Sequence, residues 1–530
     1  MKNSFKTLAL AAVMAIVPAA CQKDFLTEVP QDFVSPVTFY KSSTDAVAAV
    51  NAVYSSFINL NSPLTSSQYM QRNLWMVLEY PTEVATSRLS ATNERSLIGC
   101  YHTQFNSQHT YLQGIWEAAY AGINRANSAI ARIPSVPMDA VRRDQLVAEA
   151  KYLRAQHYYY LAGLFGGVPL KLTETAAIDG DNVARATAAE TWAQIEKDLN
   201  DAAAVLPTAW SATDFGRVTK GAALTLLGKV YLQSAGTGGP TGDWQKGLDA
   251  LKTVVGLGYA LDANYASLFD GSNGKSKEII FSLQNIRVDG AGGGLTQWFV
   301  PVTSPALYAL SQQNQFQAER AFYDSYNATD VRKDGTWMTS FTNAGKLVTW
   351  AWTSGIQVAT QYGSTGPVPR KYVDLGGAST SGEAPDLVLT RFADVLLSAA
   401  EAANEVGGPG AEAYGYVNQV RARAKVPNLT AGLSQSAFRD SVYLERRYEL
   451  AMEGHGLLDN RRNWTWSKAR IEKSMSNIST DNKSPFTSST EKFDARPIGD
   501  KWKLYPIPLR ACQLNTLLTQ NPGWEDGVCK

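Results

Sequence analysis

Chemistry in a protein is carried by a few residue types, and histidine is scarce here: His102, His109, His157 and His455 are the full set. None of them stands in an HExxH or an H-x-E with CxxC pattern, and GxSxG is absent, so the common zinc and serine-hydrolase arrangements are missing. The run Gly271-Ser272-Asn273-Gly274-Lys275-Ser276 ends like a phosphate-binding loop, but Phe269 stands where the first glycine belongs. Without that glycine the backbone cannot wrap a phosphate, which argues against a nucleotide site. No cofactor or metal is expected.

Carboxylates need only be paired, about 5 to 10 Å apart, to cleave a glycosidic bond. Glu445, Glu449 and Glu453 recur every four residues on one predicted helix face, with Arg446 and Arg447 beside them. That pattern reads as ion pairs on the helix surface or in its packing rather than as an acid–base pair. Glu149 and Arg154 read the same way. A carboxylate pair assembled from distant loops stays open at this point.

Aromatic rings offer the other chemistry. Trp298, Trp337, Trp350, Trp352 and Tyr362 fall in one irregular stretch rich in Gly, Ser and Thr. Ring faces stack on the C–H faces of sugars while amides and arginines bond the hydroxyls, a mixture that gives orientation and specificity. The competing reading is that these rings pack a small core, as large aromatics usually do. The candidate ligand-binding residues are Trp298, Trp350, Trp352 and Tyr362, with Tyr101 from a second loop-rich region (93–101), and Asn93 and Gln297 as the amides.

The elements that must position these side chains are helical. Apolar spacing predicts helices over 45–60, 116–133, 141–165, 187–206, 219–233, 244–255, 387–405, 411–424 and 436–454. Thr187 with Glu190 is a capping-box pattern, and Gly166-Gly167-Val168-Pro169 is a glycine stop followed by proline. Leu227-Gly228 three residues before Tyr231, followed by a second helix, resembles the helix pair of a tetratricopeptide repeat, where glycine lets helices approach closely. The pair 387–405 with 411–424 repeats that logic, so the scaffold is split in sequence. Between the halves, residues 268–385 carry turn signals and short β-prone runs such as Glu278 to Leu283. A long irregular insertion on a rigid frame is where binding usually lives. The tail from Lys501 reads as extended and proline-rich. The fold class is mainly α.

With 530 residues, 45% hydrophobic and 18% charged, the composition is globular. Forty-nine Lys and Arg against 48 Asp and Glu leave a net charge of +1, which argues against a general nucleic-acid binder. Residues 1–20 read as a signal peptide: Lys2 and Lys6, an apolar run from Leu8 to Val17 too short to span a bilayer, then Pro18-Ala19-Ala20 before Cys21. Small residues ending in a cysteine look like a bacterial lipobox, which makes Cys21 the expected lipidation site, although Pro18 replaces the usual leucine. The alternative is an ordinary secretory signal with a chance cysteine. Cys512 and Cys529 lie close enough in sequence to pair in an oxidising compartment, Cys100 is left over, and no CxxC spacing exists to hold zinc.

Nine stretches then make a whole. CQKDFLTEVP at Cys21, WEAAYAGINRANSAIARIP at Trp116, AEAKYLRAQHYYYLAGLFGGVPL at Ala148, RATAAETWAQIEKDL at Arg185 and GRVTKGAALTLLGKVYL at Gly216 are followed by RFADVLLSAAEAANE at Arg391, VNQVRARAKVP at Val417, ERRYELAMEGHGLLDNRR at Glu445, and YPIP with QNPGW near the end. In this order they resemble the SusD/RagB family of outer-membrane lipoproteins. The resemblance implies a SusD-like α-α superhelix: a lipid-anchored tether (21–40) and one domain (41–530), whose helical scaffold (41–267 and 386–530) carries the ligand-binding insertion (268–385). It also implies a non-enzymatic protein that delivers oligosaccharides to a SusC-like TonB-dependent transporter. A peptide-binding lid of the same family is the nearer alternative, and a secreted glycoside hydrolase the more distant one.

Overall fold

The computed structural model describes residues 39–529 apart from 59–68, 88–97, 99–100, 102–104, 176–181, 240–241, 289–293, 301–314, 344–345, 350–365, 377–381, 482–497 and 526. The chain is mostly helical, and its described strands form four two-stranded antiparallel ladders.

Three long helices open the frame: Ser43–Ile58, Thr110–Arg132 and Ala140–Phe165. The third starts where the Asp139 carboxylate accepts the Arg142 N–H at 2.8 Å, and it stops at Gly166, whose φ of 76° suits a residue without a Cβ. Arg461 caps that end, donating from Nη1 to the carbonyls of Gly163 and Leu164. The next helix, Ala188–Val205, begins with the predicted capping box between Thr187 and Glu190.

Lys220–Gly236 and Trp244–Val255 form the predicted close pair. A Cβ on Gly228 would sit 2.7 Å from Leu251 Cγ, and one on Gly247 would sit 2.3 Å from the Leu232 Cδ1 methyl, so the two helices approach closely at both glycines, with the Leu232 side chain the part that must give at Gly247. The later pair is Phe392–Gly407 with Ala411–Arg423. Its first helix is shorter than the periodicity predicts. Leu387–Arg391 is instead a strand, antiparallel to Ile279–Leu283, with Ile279 opposite Arg391 and Leu283 opposite Leu387. All five of its residues are buried, which suits an extended run with both faces covered better than an amphipathic turn.

The glutamate comb is a packing centre. Glu445 and Glu449 lie on the helix Gln435–Leu450, while Glu453 lies in the turn beyond it. The helix ends earlier than predicted, with Ala451 extended and Met452 at a φ of 65°, and side chains take the carbonyl of Glu449. Glu449 O accepts from Lys371 Nζ at 3.1 Å, Arg391 Nη2 at 2.8 Å and the Tyr265 hydroxyl at 2.7 Å. Arg332, Arg391, Arg423 and Lys371 pair with Asp330, Glu278 and the three glutamates, all with nearly fully buried side chains. Glu149 and Arg154 do not pair with one another: Glu149 meets Arg217 at 2.9 Å and Arg154 meets Asp198 at 2.7 Å.

The described part of 268–385 shares the scaffold's core, since Phe269, Phe299, Phe316, Trp337 and Tyr372 are all buried in it. Trp337 is therefore a core ring. Two further helices, Gly456–Arg462 and Trp464–Asp481, follow where the sequence pattern suggested none, and the tail folds into the short helix Leu509–Leu514 rather than staying extended. Cys512 and Cys529 form a disulfide with their Cα atoms 5.2 Å apart. No described helix is long and apolar enough to cross a membrane.

Candidate functional site

The candidate site is a meeting of three segments. Tyr69–Leu74 forms a turn of π-helix, a widened geometry that recurs at functional positions, and Arg72 projects from it. The guanidinium carbon lies 4.5 Å from the centroid of the Trp298 ring and 5.5 Å from that of Tyr111, in the first turn of Thr110–Arg132. Both distances are within reach of cation–π attraction.

Trp298 and Gln297 are carried by the helix Leu295–Phe299, only five residues long. So short a helix cannot hold itself, because nucleation costs more than one turn returns. Its neighbours hold it instead. Glu383 Oε1 accepts the Thr296 N–H at 2.8 Å, and the Asp374 N–H donates to Thr296 Oγ1 at 2.9 Å. At the other end the Trp298 carbonyl accepts the Gln315 N–H at 2.7 Å. Leu295, Thr296 and Phe299 are buried, leaving Gln297 and Trp298 as the partly exposed residues.

Burial pushes the Glu383 carboxyl up to about 8, with the Thr296 and Leu295 N–H groups offsetting part of that rise. Burial also acts to raise Asp374, but hydrogen bonds from Arg287, Ala384 N–H and Gly376 N–H outweigh it and hold this carboxyl below its ordinary value. Arg287 reaches Asp374 with two bonds, at 2.7 and 2.8 Å. The floor of the site is thus fixed by buried polar contacts, and its surface is formed by Trp298, Gln297 and Arg72.

Of the residues proposed from sequence, Gln297 and Trp298 are described, and they are consecutive, partly exposed residues of one short helix. Tyr101 is corrected: it is 1% exposed, donates its hydroxyl to Pro81 O at 2.8 Å and packs edge-on against Trp502, so it is a core residue. Asn93, Trp350, Trp352, Tyr362 and Cys21 lie outside the described residues. Arg72 and Tyr111 escaped the sequence reading, because Arg72 stands in a Ser- and Asn-rich stretch with weak periodicity and Tyr111 precedes the clear helical pattern at Trp116. A separate recess of about 440 Å³ is lined by Trp116, Tyr120, Gln113, Arg510 and Leu514. Two of its polar groups bond within its own lining, Gln113 to Glu117 and the Tyr120 hydroxyl to Pro169 O. Among the described residues no group of three or more His, Cys, Asp or Glu is placed to hold a metal ion.

Comparisons with known proteins agree along nearly the whole chain. A family model described as "SusD family" matches residues 234–524, and one described as "Starch-binding associating with outer membrane" matches residues 39–232. A SusD-like protein of Formosa agariphila is 27% identical over 543 aligned positions, covering 95% of this chain and 96% of that one. A SusD homolog from Bacteroides thetaiotaomicron superposes with a TM-score of 0.77 at 23% identity, over 95% of this chain and 100% of that structure. A laminarin-binding SusD-like protein superposes with a TM-score of 0.71 at 25% identity, over 91% of this chain and 100% of its own.

Proposed function

The chain belongs to the SusD family, and from that premise we propose that it is a surface lipoprotein that captures an oligosaccharide and passes it, uncleaved, to a SusC-like TonB-dependent transporter. The observation that carries this reading is the partly exposed Trp298 ring beside Gln297 and Arg72, on a helix held from below by Glu383 and Asp374. A ring face and two polar side chains on a rigid support are what a sugar needs: a platform for its C–H face and donors for its hydroxyls. Rings from 350–362 and the amide of Asn93 would complete the surface. The family's association with the outer membrane supports attachment there, through a lipid on Cys21 after removal of 1–20.

A hydrolase is disfavoured by where the carboxylates go. Glu445, Glu449 and Glu453 are held by arginines and Lys371 in the core. Glu383 has the raised value of a general acid, yet it is buried and bonded to the Thr296 N–H beneath the helix. The test is a binding panel of glycans and peptides with chromatographic analysis of the bound material. The expected result is glycan binding with the ligand recovered intact. Steady product formation abolished by replacing one carboxylate would establish the hydrolase instead, and binding of peptides alone the peptide lid. Cys21→Ala is expected to stop lipid labelling and release the protein from the membrane fraction.

A further inference from the structure

Arg72 is unlike the other withdrawn arginines of this fold. Arg154, Arg332, Arg391, Arg446 and Arg462 each meet at least one carboxylate, and Arg461 spends its charge on the helix-end carbonyls of Gly163 and Leu164 and on Trp502 O. Arg72 donates no hydrogen bond and joins no ion pair among the described residues, and its Nε is shielded from solvent without a partner. Its ring neighbours are Trp298 and Tyr111, with centroids 4.5 and 5.5 Å from the guanidinium carbon, and neither ring carries a charge to neutralise it.

A guanidinium stays charged at any physiological pH, and partial burial without a counter-charge is costly. Its best partner is a planar or multidentate oxyanion, which takes two parallel N–H bonds and neutralises the charge; sugar hydroxyls supply only the hydrogen bonds. Because the guanidinium lies over the half-buried Trp298 ring, the oxyanion would arrive on a molecule whose remaining atoms meet the exposed part of that ring. We propose that Arg72 is the anion-binding subsite of the glycan site and that the captured oligosaccharide is acidic, bearing a uronate carboxylate or a sulfate ester. This deepens the reading of the chain as a glycan-binding protein and rests on it.

The test uses the full mature chain in calorimetric titrations with two matched pairs. One is oligogalacturonate against its methyl ester, and the other is a carrageenan oligosaccharide against its desulfated form. A neutral glucan oligosaccharide and an acidic peptide complete the set. The expected result is that one charged member binds at least about tenfold tighter than its neutralised partner. That preference should weaken as NaCl rises and should vanish in Arg72→Met, with Arg72→Lys retaining part of it. The pair that shows the preference tells carboxylate from sulfate, and the wild-type comparison stands whether or not the variants fold. Equal binding of charged and neutral forms, lost in Trp298→Ala, would overturn the acidic ligand and leave the glycan reading intact. Binding of no glycan in the set, or of the acidic peptide in preference to all of them, would overturn both.

Discussion

Arg391 and Glu453 face one another in a two-pronged contact, Nε to Oε2 and Nη2 to Oε1 both at 2.7 Å, although 62 residues separate them. The contact ties the strand Leu387–Arg391 to the turn after Gln435–Leu450, and through Glu278 on Arg391 Nη1 to the residue just before the partner strand as well. Removing one partner of a buried cluster leaves uncompensated charge, so Arg391→Met is expected to cost about 3–5 kcal/mol in urea unfolding. Lys252→Met, which breaks the exposed pair with Glu412, is expected to leave the unfolding midpoint where it was. Equal effects from the two would show that the cluster is not buried as described.

Gly228 makes a second expectation sharp. Leucine there would drive its Cβ to 2.7 Å from Leu251 Cγ and must push the two helices apart, at a cost of about 1–3 kcal/mol or more. The diagnostic is the combination with Leu251→Ala, which frees that space. Gly228→Ala should lose less stability in the Leu251→Ala background than alone, a coupling that thermal unfolding of the four proteins measures.

Local signals were the legible ones. Thr187 and Glu190 bond within one turn, and Gly166 ends its helix at its own position, so neighbouring residues suffice to read both. Glu445 and Glu449 were visible as a comb, but their partners Arg332, Arg391 and Arg423 arrive from distant segments, and a period cannot say whether a comb faces water or core. Leu387–Arg391 has an apolar run that suits helix or strand equally, and only the pairing with Ile279–Leu283 decides it. The family and fold were legible from the ordered motifs, which apart from the stretch at Cys21 are scaffold residues. The site was half legible: a tryptophan and an amide in an irregular stretch suggest a surface, whereas an arginine such as Arg72 becomes notable only when its neighbours show that its charge is unspent.

The Cys512–Cys529 bridge closes a loop across a sequence separation of 17 near the C-terminus. Cross-linking a loop of that size restricts the unfolded chain by about 3 kcal/mol. The double variant Cys512→Ser with Cys529→Ser is therefore expected to unfold at lower urea. A reductant should bring the wild type down to the same midpoint and leave the variant unmoved.

Glu383 sets a pH dependence whose sign is fixed. Its carboxyl is raised to about 8 in the fold from an ordinary value of 4.5, so between those values the folded protein keeps a proton that the unfolded chain has released. The stability contributed by the protonated carboxyl is complete below 4.5 and is lost as pH rises through about 8. Glu383→Gln preserves an acceptor oxygen for the Thr296 N–H and carries no charge. Its melting temperature relative to wild type should therefore climb as pH is raised from about 5 to about 8. A constant difference across that range would show that Glu383 is ionised throughout.

Tyr101 and Trp298 are expected to part company when each is replaced by alanine. Tyr101 is a core ring bonded to Pro81 O and packed on Trp502, so its removal opens a cavity with a cost of about 3–5 kcal/mol. Tyr101→Phe, which keeps the ring and loses the hydroxyl, should cost about 1 kcal/mol. Neither change touches the surface formed by Trp298, Gln297 and Arg72, so the affinity of the folded fraction should stay at the wild-type value. Trp298 is partly exposed, its carbonyl accepts the Gln315 N–H whatever side chain it bears, and Glu383 holds the Thr296 N–H two residues earlier. The ring also packs against the edge of the core, so Trp298→Ala should lower the melting temperature less than Tyr101→Ala does, and should weaken glycan binding about tenfold or more, the effect expected of a ring at the centre of a contact. Calorimetric titration and thermal unfolding of the three variants separate the two roles. A Trp298→Ala protein that binds normally would move the ligand elsewhere, and a Tyr101→Ala protein of normal stability that no longer binds would restore Tyr101 to the site.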